Sequence, residues 1–259
     1  MPSFIPNQQA QYGQGFTRSA AEVDQGLRSF MLGVYNNMVL GLAISALVAL
    51  GVNKLAISAT PTPVRMSGQY LTEFGRMLYA TPLMWVVALA PLAFIFLFSF
   101  RMDKMSAASA RTTFLAFAAV MGASLSTLLL RYTGASVTQT FFVTAAAFGG
   151  LSLWGYTTKR SLSGMGSFLM MGLIGLVIAS LVNIFLASSA LQFAISAIGV
   201  LIFAGLTAYD TQKLKEMYLY GNFDSETAAK MSVHGALTLY LDFINMFQFL
   251  LAFMGNRNN

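Results

Sequence analysis

Between Ser161 and Tyr209 lie 49 consecutive residues without a formal charge. A helix rises 1.5 Å per residue and about 20 apolar residues cross the hydrocarbon core of a bilayer, so this run is long enough for two crossings. The small and polar Ala187-Ser188-Ser189-Ala190 is the expected break between them. By the same ruler the uncharged runs 29–53, 77–100, 112–130 and 132–158 hold one helix each. A last run, 231–256, is interrupted only by His234 and Asp242. The reading is an all-α integral membrane protein with seven transmembrane helices, at about 31–52, 77–100, 112–130, 137–158, 165–186, 190–209 and 234–254. Composition agrees: 9% of residues are charged, against roughly a quarter in soluble domains. A water-soluble globule of this size is excluded.

The charges that remain map the loops. Of fifteen Lys and Arg, ten fall on one side of a seven-span topology (Arg18, Arg28, Arg101, Lys104, Arg111, Lys159, Arg160, Lys213, Lys215, Lys230) and five on the other (Lys54, Arg65, Arg76, Arg131, Arg257). Positive residues accumulate on the cytoplasmic side, which puts the N-terminus in the cytoplasm. A fully spanning last segment puts the C-terminus outside, and a re-entrant one returns it inside. The net charge of +6 is read as topology and contact with anionic lipid, not as nucleic-acid binding. Residues 1–28 are expected to form a flexible cytoplasmic tail and 29–259 a single domain, because neither long loop, 53–76 nor 210–230, is large enough for a core of its own. With no cysteine and one histidine, thiolate chemistry and His- or Cys-rich metal sites are excluded, and no cofactor is expected.

Small residues at four-residue spacing, Ala118, Gly122 and Ser126, with Gly149, Gly150, Gly172 and Gly175, predict close helix packing within the monomer. Pro91 removes a backbone donor inside the second span and predicts a bend. Trp85, Tyr132 and Tyr156 near span ends are expected to anchor at the interface.

Asp242 breaks the pattern, since an acid at the centre of a membrane helix costs about 2.5–3.5 kcal/mol on insertion scales. Thr238 at i−4 and Asn245 at i+3 share its helical face. Asp210 ends the preceding span in the sequence Ala208-Tyr-Asp-Thr-Gln212. Both acids enter from the same membrane side, so they are expected on neighbouring helices. There, two carboxylates in a low dielectric cannot both ionise easily and would share a proton, as a pH sensor does. Arg101, at the inner end of the second span, is the candidate counter-ion whose bridge to a carboxylate locks an inner gate.

Gly205-Leu-Thr-Ala-Tyr-Asp210-Thr-Gln and Gly235-Ala-Leu-Thr-Leu-Tyr-Leu-Asp242-Phe-Ile-Asn245, with Val23-Asp-Gln-Gly-Leu-Arg-Ser-Phe-Met-Leu-Gly-Val-Tyr-Asn ahead of the first span, resemble the signature of the bacterial Bax inhibitor-1 (transmembrane Bax inhibitor motif) family. The resemblance covers roughly residue 22 to the end. It implies a seven-helix fold with the last helix central in the bundle, and a pH-sensitive calcium leak in a bacterial inner membrane. The family's two gating aspartates fall on Asp210 and Asp242, its bridging basic residue on Arg101, and the calcium ligands on the same two acids. The charged stretch from Glu216 to Lys230 between the motifs is longer than the family pattern leads one to expect.

Two other readings are kept beside the leak. One is a non-transporting regulator that binds other membrane proteins, such as a membrane protease, through its small-residue faces and its tail. The other is an intramembrane aspartyl protease, which also needs two carboxylates to activate water, but here the second Asp follows Tyr240-Leu241 without a glycine-flanked motif. A Ser124–His234 dyad is poorer still. The chain is therefore read as a non-enzyme whose partners are the bilayer, calcium and, on the regulator reading, other membrane proteins.

Overall fold

The computed structural model describes residues 20–101, 104–221 and 223–258. Helix α1 (Ala20–Ala56) leads into a small antiparallel sheet of β1 (Ile57–Ser58), β2 (Arg65–Met66) and β3 (Gln69–Leu71), ordered β1-β3-β2. Then come α2 (Glu73–Tyr79), α3 (Leu83–Arg101), α4 (Ala107–Arg131), α5 (Gly134–Thr157), α6 (Ser163–Leu186), α7 (Ser189–Tyr220) and α8 (Ser225–Met254). Six of these helices are long and apolar enough to cross a membrane, and the bent pair α2 and α3 makes a seventh if counted as one span.

The sheet is the departure from an all-α chain. Ser67 (φ 49°) and Gly68 (φ 75°) form the two-residue turn that pairs Met66 with Gln69, the backbone signs that match the twist of a tight hairpin. Thr72 caps α2 and its hydroxyl donates to the Leu55 carbonyl at 2.8 Å, tying α2 to the end of α1. The 62° break in this region falls between Tyr79 and Leu83, while α3 continues as a helix through Pro91.

The helices alternate in direction. At the end where α1 starts, the near end, Glu226 Oε1 accepts the Ala107 backbone N–H (2.7 Å), which joins the starts of α4 and α8. At the far end Tyr132 pairs with Arg257, and Asn258 Nδ2 donates to the carbonyls of Leu130 (3.0 Å) and Tyr132 (3.1 Å). Helix α8 is therefore one continuous traverse of the bundle and not a re-entrant hairpin. Tyr132, expected at the lipid interface, is buried at this joint, whereas Trp85 is exposed near the start of α3. Helix α8 packs on α1, α4, α5 and α7, and half of its apolar window is buried against 11% for α6.

Small residues set the closest approaches. A Cβ on Gly122 would lie 2.5 Å from the Ser45 carbonyl oxygen, so α4 meets α1 backbone to backbone there. Gly155 sits on the Ala208 carbonyl in the same way, joining α5 to α7. Gly149, Gly150 and Gly175 face open space instead, so the expected close packing holds at Ala118, Gly122 and Ser126, all buried on α4, and against Ile202 at Gly172. Gly122→Val is expected to destabilise by about 1–3 kcal/mol through overpacking, seen as a lower thermal midpoint in detergent, while Gly150→Ala leaves it unchanged or raised.

Helix α8 begins nine residues before His234, because Asp224 caps it by accepting the Thr227 N–H at 3.0 Å. Hydrogen bonds from Thr227, side chain first and then backbone, hold the Asp224 carboxyl below the usual aspartate range. The cap is thus at full strength above the unfolded value, about 3.9, and is lost as pH falls through the lower folded one. At neutral pH, Asp224→Ala is expected to speed amide exchange over Ser225–Ala228, and Asp224→Asn, which keeps the acceptor, to do so far less.

Candidate functional site

Two residues along a helix are about 200° apart, and α8 uses that separation to carry two opposed faces. On one, Tyr240 is fully buried and its hydroxyl meets Ser45 Oγ at 2.6 Å. Ser45 Oγ in turn lies 2.7 Å from the Ala118 carbonyl and 3.0 Å from that of Gly41. Phe114 and Phe117 pack edge-on to the Tyr240 ring at 5.7 and 5.8 Å. This cluster fixes α8 against α1 and α4, and so sets the rotation at which the opposite face is presented.

That opposite face carries Asp242, which is 5% exposed and lines a cavity of about 600 Å³ bounded by α6, α7 and α8. Asp210, Thr238 and Asn245 line the same cavity. The hydroxyl of Thr238 donates to the His234 carbonyl (3.2 Å) and the amide of Asn245 to that of Leu241 (2.9 Å), so both are occupied by their own helix. Asp242 Oδ2 is left without a donor. The Asp210 carboxyl lines the same cavity and is its charged neighbour there. Two carboxylates both only accept, so a bond between them requires that one keep its proton.

Asp210 is not a helix-end acid. Helix α7 continues to Tyr220, about 15 Å further, so the expected span end at 209 marks a change of composition and not of structure. Two contacts hold this part of α7: Gln212 accepts the Leu162 N–H (2.7 Å) and donates to the Arg160 carbonyl (2.8 Å), and Gly166 of α6 lies flat on the Tyr209 ring.

Arg101 is exposed and makes no ion pair, the one ion pair among the described residues being Arg76–Glu73 on the surface. The cation whose field reaches Asp210 is Lys213, one turn on along α7 and placed over the Tyr209 ring at 5.9 Å. The same Lys213 acts on His234, two turns before Asp242 on α8, whose buried Nδ1 has no hydrogen-bond partner. Lys213 could have been found from its i+3 spacing to Asp210, and His234 from its i−8 spacing to Asp242. The role of Tyr240 and Ser45 left no such signal, since their contact spans 195 positions. No group of three or more His, Cys, Asp or Glu able to hold a metal occurs among the described residues.

Residues 27–259 match the sequence pattern of the family described as inhibitor of apoptosis-promoting Bax1. The chain belongs to the Bax inhibitor-1 family. It is 48% identical to an uncharacterized protein of Caulobacter vibrioides over 94% of this chain and 97% of that one. It is 45% identical to a Rickettsia prowazekii protein over 91% and 93%, and 43% identical to the inner membrane protein YbhL of Escherichia coli over 90% and 93%. The Bax inhibitor-1 pattern thus covers every helix that builds the acid cavity, and the protein is a membrane protein.

In this family member the acid face depends on the anchor behind it. Tyr240→Phe removes the donor to Ser45 while Ser45 keeps its own carbonyl acceptors, so it is expected to cost about 1 kcal/mol, measured as a fall in the unfolding midpoint. Ser45→Ala, which leaves the buried phenol without its partner, is expected to cost more.

Proposed function

We propose that this protein is a pH-sensitive calcium-leak channel in which Asp210 and Asp242 form the gate. The observation that carries the reading is that the two acids line one cleft between α6, α7 and α8, with Asp242 buried and its Oδ2 without a hydrogen-bond partner among the described residues. A membrane-centre acid is expensive and marks ion pathways more often than structural contacts. A pair of them changes charge as protons arrive, which couples ion affinity to pH.

The ion reading follows from the donor set. Calcium takes six to eight oxygen ligands. Two carboxyls with Thr238 and Asn245 nearby offer only part of that shell, with water completing it, which suits passage and not storage. Protonating the pair lowers its charge and weakens its hold on the cation. In the closed gate Arg101 bridges one of the acids. The arrangement with Arg101 exposed and without an ion pair among the described residues is read as the unlatched one, with Lys213 as the standing local charge.

The membrane setting belongs to the same proposal. The near end, where α1 starts and α8 begins, faces the cytoplasm, on the strength of the ten-to-five surplus of Lys and Arg. The chain crosses seven times with the bent α2 and α3 as one crossing, α8 is the axis of the bundle, and the membrane is the bacterial inner one, as for the relative YbhL.

In proteoliposomes loaded with a calcium indicator, Asp242→Asn and Asp210→Asn are each expected to change calcium flux severalfold and to flatten its dependence on pH. Arg101→Gln is expected to raise basal flux. Flux with an unaltered pH profile in both Asp variants would sink the gate, whereas cleavage of a transmembrane reporter that both variants abolish would favour a protease.

A further inference from the structure

A second cavity lies on the other side of α8. It occupies about 680 Å³ between α1 and α5, which scarcely touch each other, and α8 forms its floor through Phe243. Small side chains open it: Ala43 and Ala46 on α1, Ala145 and Gly149 on α5. On α1 it runs from Arg28 to Ala46, roughly 27 Å along the helix, most of the ~30 Å hydrocarbon thickness. The few polar atoms on its wall are already engaged, since Tyr35 Oη lies 2.6 Å from Ser152 Oγ and that oxygen 2.9 Å from Thr211 Oγ1. Nothing along its length asks for a polar ligand.

Its near end is different. Arg28 lines the mouth, is exposed, and makes no ion pair among the described residues, although Asp24 lies one turn away. Opposite, Tyr156 closes the wall with Lys215 behind it, its ammonium 5.3 Å from the ring centre and bonded to the Tyr156 carbonyl (2.8 Å). Lys159 and Arg160 follow directly after α5 at the same end. A long apolar groove with a cationic mouth is complementary to one kind of molecule, a chain of methylenes carrying an anionic head.

We infer that the α1–α5 groove is a binding site for an anionic phospholipid, with the acyl chain lying along Ala43, Ala46, Ala145 and Gly149 and the phosphate held by Arg28. A basic residue near the membrane surface contributes about 1 kcal/mol toward anionic lipid, roughly fivefold, while the acyl chain, apolar in and out of the groove, adds packing against the small side chains, so the chain supplies the fit and the arginine the choice of headgroup. Phe243 and Asp242 are neighbours on α8 that face the groove and the acid cavity respectively, so an occupied groove braces the helix that carries the gate. The binding site itself stands whether or not calcium passes.

The test uses the full chain in detergent, titrated with phosphatidylglycerol or phosphatidylcholine of identical chains, with retained lipid counted by native mass spectrometry. One phosphatidylglycerol per chain is expected, retained about fivefold over phosphatidylcholine. Arg28→Gln should remove that preference while some lipid of both kinds stays bound. Gly149→Trp should expel the lipid with the circular-dichroism melting curve unchanged, because a side chain there meets open space; Gly149→Leu serves if the larger residue misfolds. Excess glycerol phosphate should not displace the lipid, and its doing so would mean a site for free anions. Equal retention of the two lipids, retention unaffected by both Gly149 variants, or a dimer that Gly149→Trp dissociates would each overturn the assignment.

Discussion

Inside a bilayer there is no water to satisfy a polar group, so every donor and acceptor must be met within the protein. The hydroxyls of this bundle obey that constraint by turning back on their own helices: Thr144 to the Thr140 carbonyl, Thr207 to that of Phe203, Thr211 to that of Thr207, and Ser180 to that of Leu176. Against this background four buried side-chain atoms lack a partner among the described residues, and two of them, His234 Nδ1 and Asp242 Oδ2, are on α8. The acid shares its cleft with a second one, Asp210, and two carboxyl groups can bond each other only when one keeps its proton.

The helix that carries Asp242 is held by its other face. Tyr240 reaches through Ser45 to the α1–α4 contact, which exists because Gly122 lets the two backbones meet. The aromatic edges of Phe114 and Phe117 fill the space around the phenol. Anchor and acid are two residues apart, so rotating α8 to expose the acid would tear out the phenol. The acid cavity and the lipid-facing groove then lie on flanks of one helix, with Asp242 on one and Phe243 on the other.

Uncharged length made the helices legible. Hydrocarbon thickness is a physical ruler, and the runs 112–130 and 161–209 lie against α4, α6 and α7. The ruler measures the membrane and not the helix, which is why α7 runs on to Tyr220 and α8 begins at Ser225, beyond the apolar windows. The extensions carry Lys213, Lys215 and Glu226, whose charges sit at the bundle's near end. The small sheet was hidden because its strands are two or three residues long, and its one signal, Ser67-Gly68, is a turn that also occurs in loops. Tyr132 looked like an interface residue by position, but the C-terminal segment folds over it.

The acids themselves could be named from the chain alone: a charge amid apolar residues is conspicuous in one dimension, and the motifs around Asp210 and Asp242 are local. What one dimension could not hold is which cation stands beside them. Arg101 and Lys213 both belong to the near end, and only the packing of α7 against α8, with α3 kept on α4, decides that Lys213 acts on Asp210 while Arg101 stays exposed. The sequence alone determined the solvent, most of the apolar helices and the two unusual acids, because those depend on the transfer cost of each residue taken in order. The tertiary structure decided the anchor at Tyr240, the cavity the two acids share and the groove at Arg28, because each arises from helices brought together across many residues of chain.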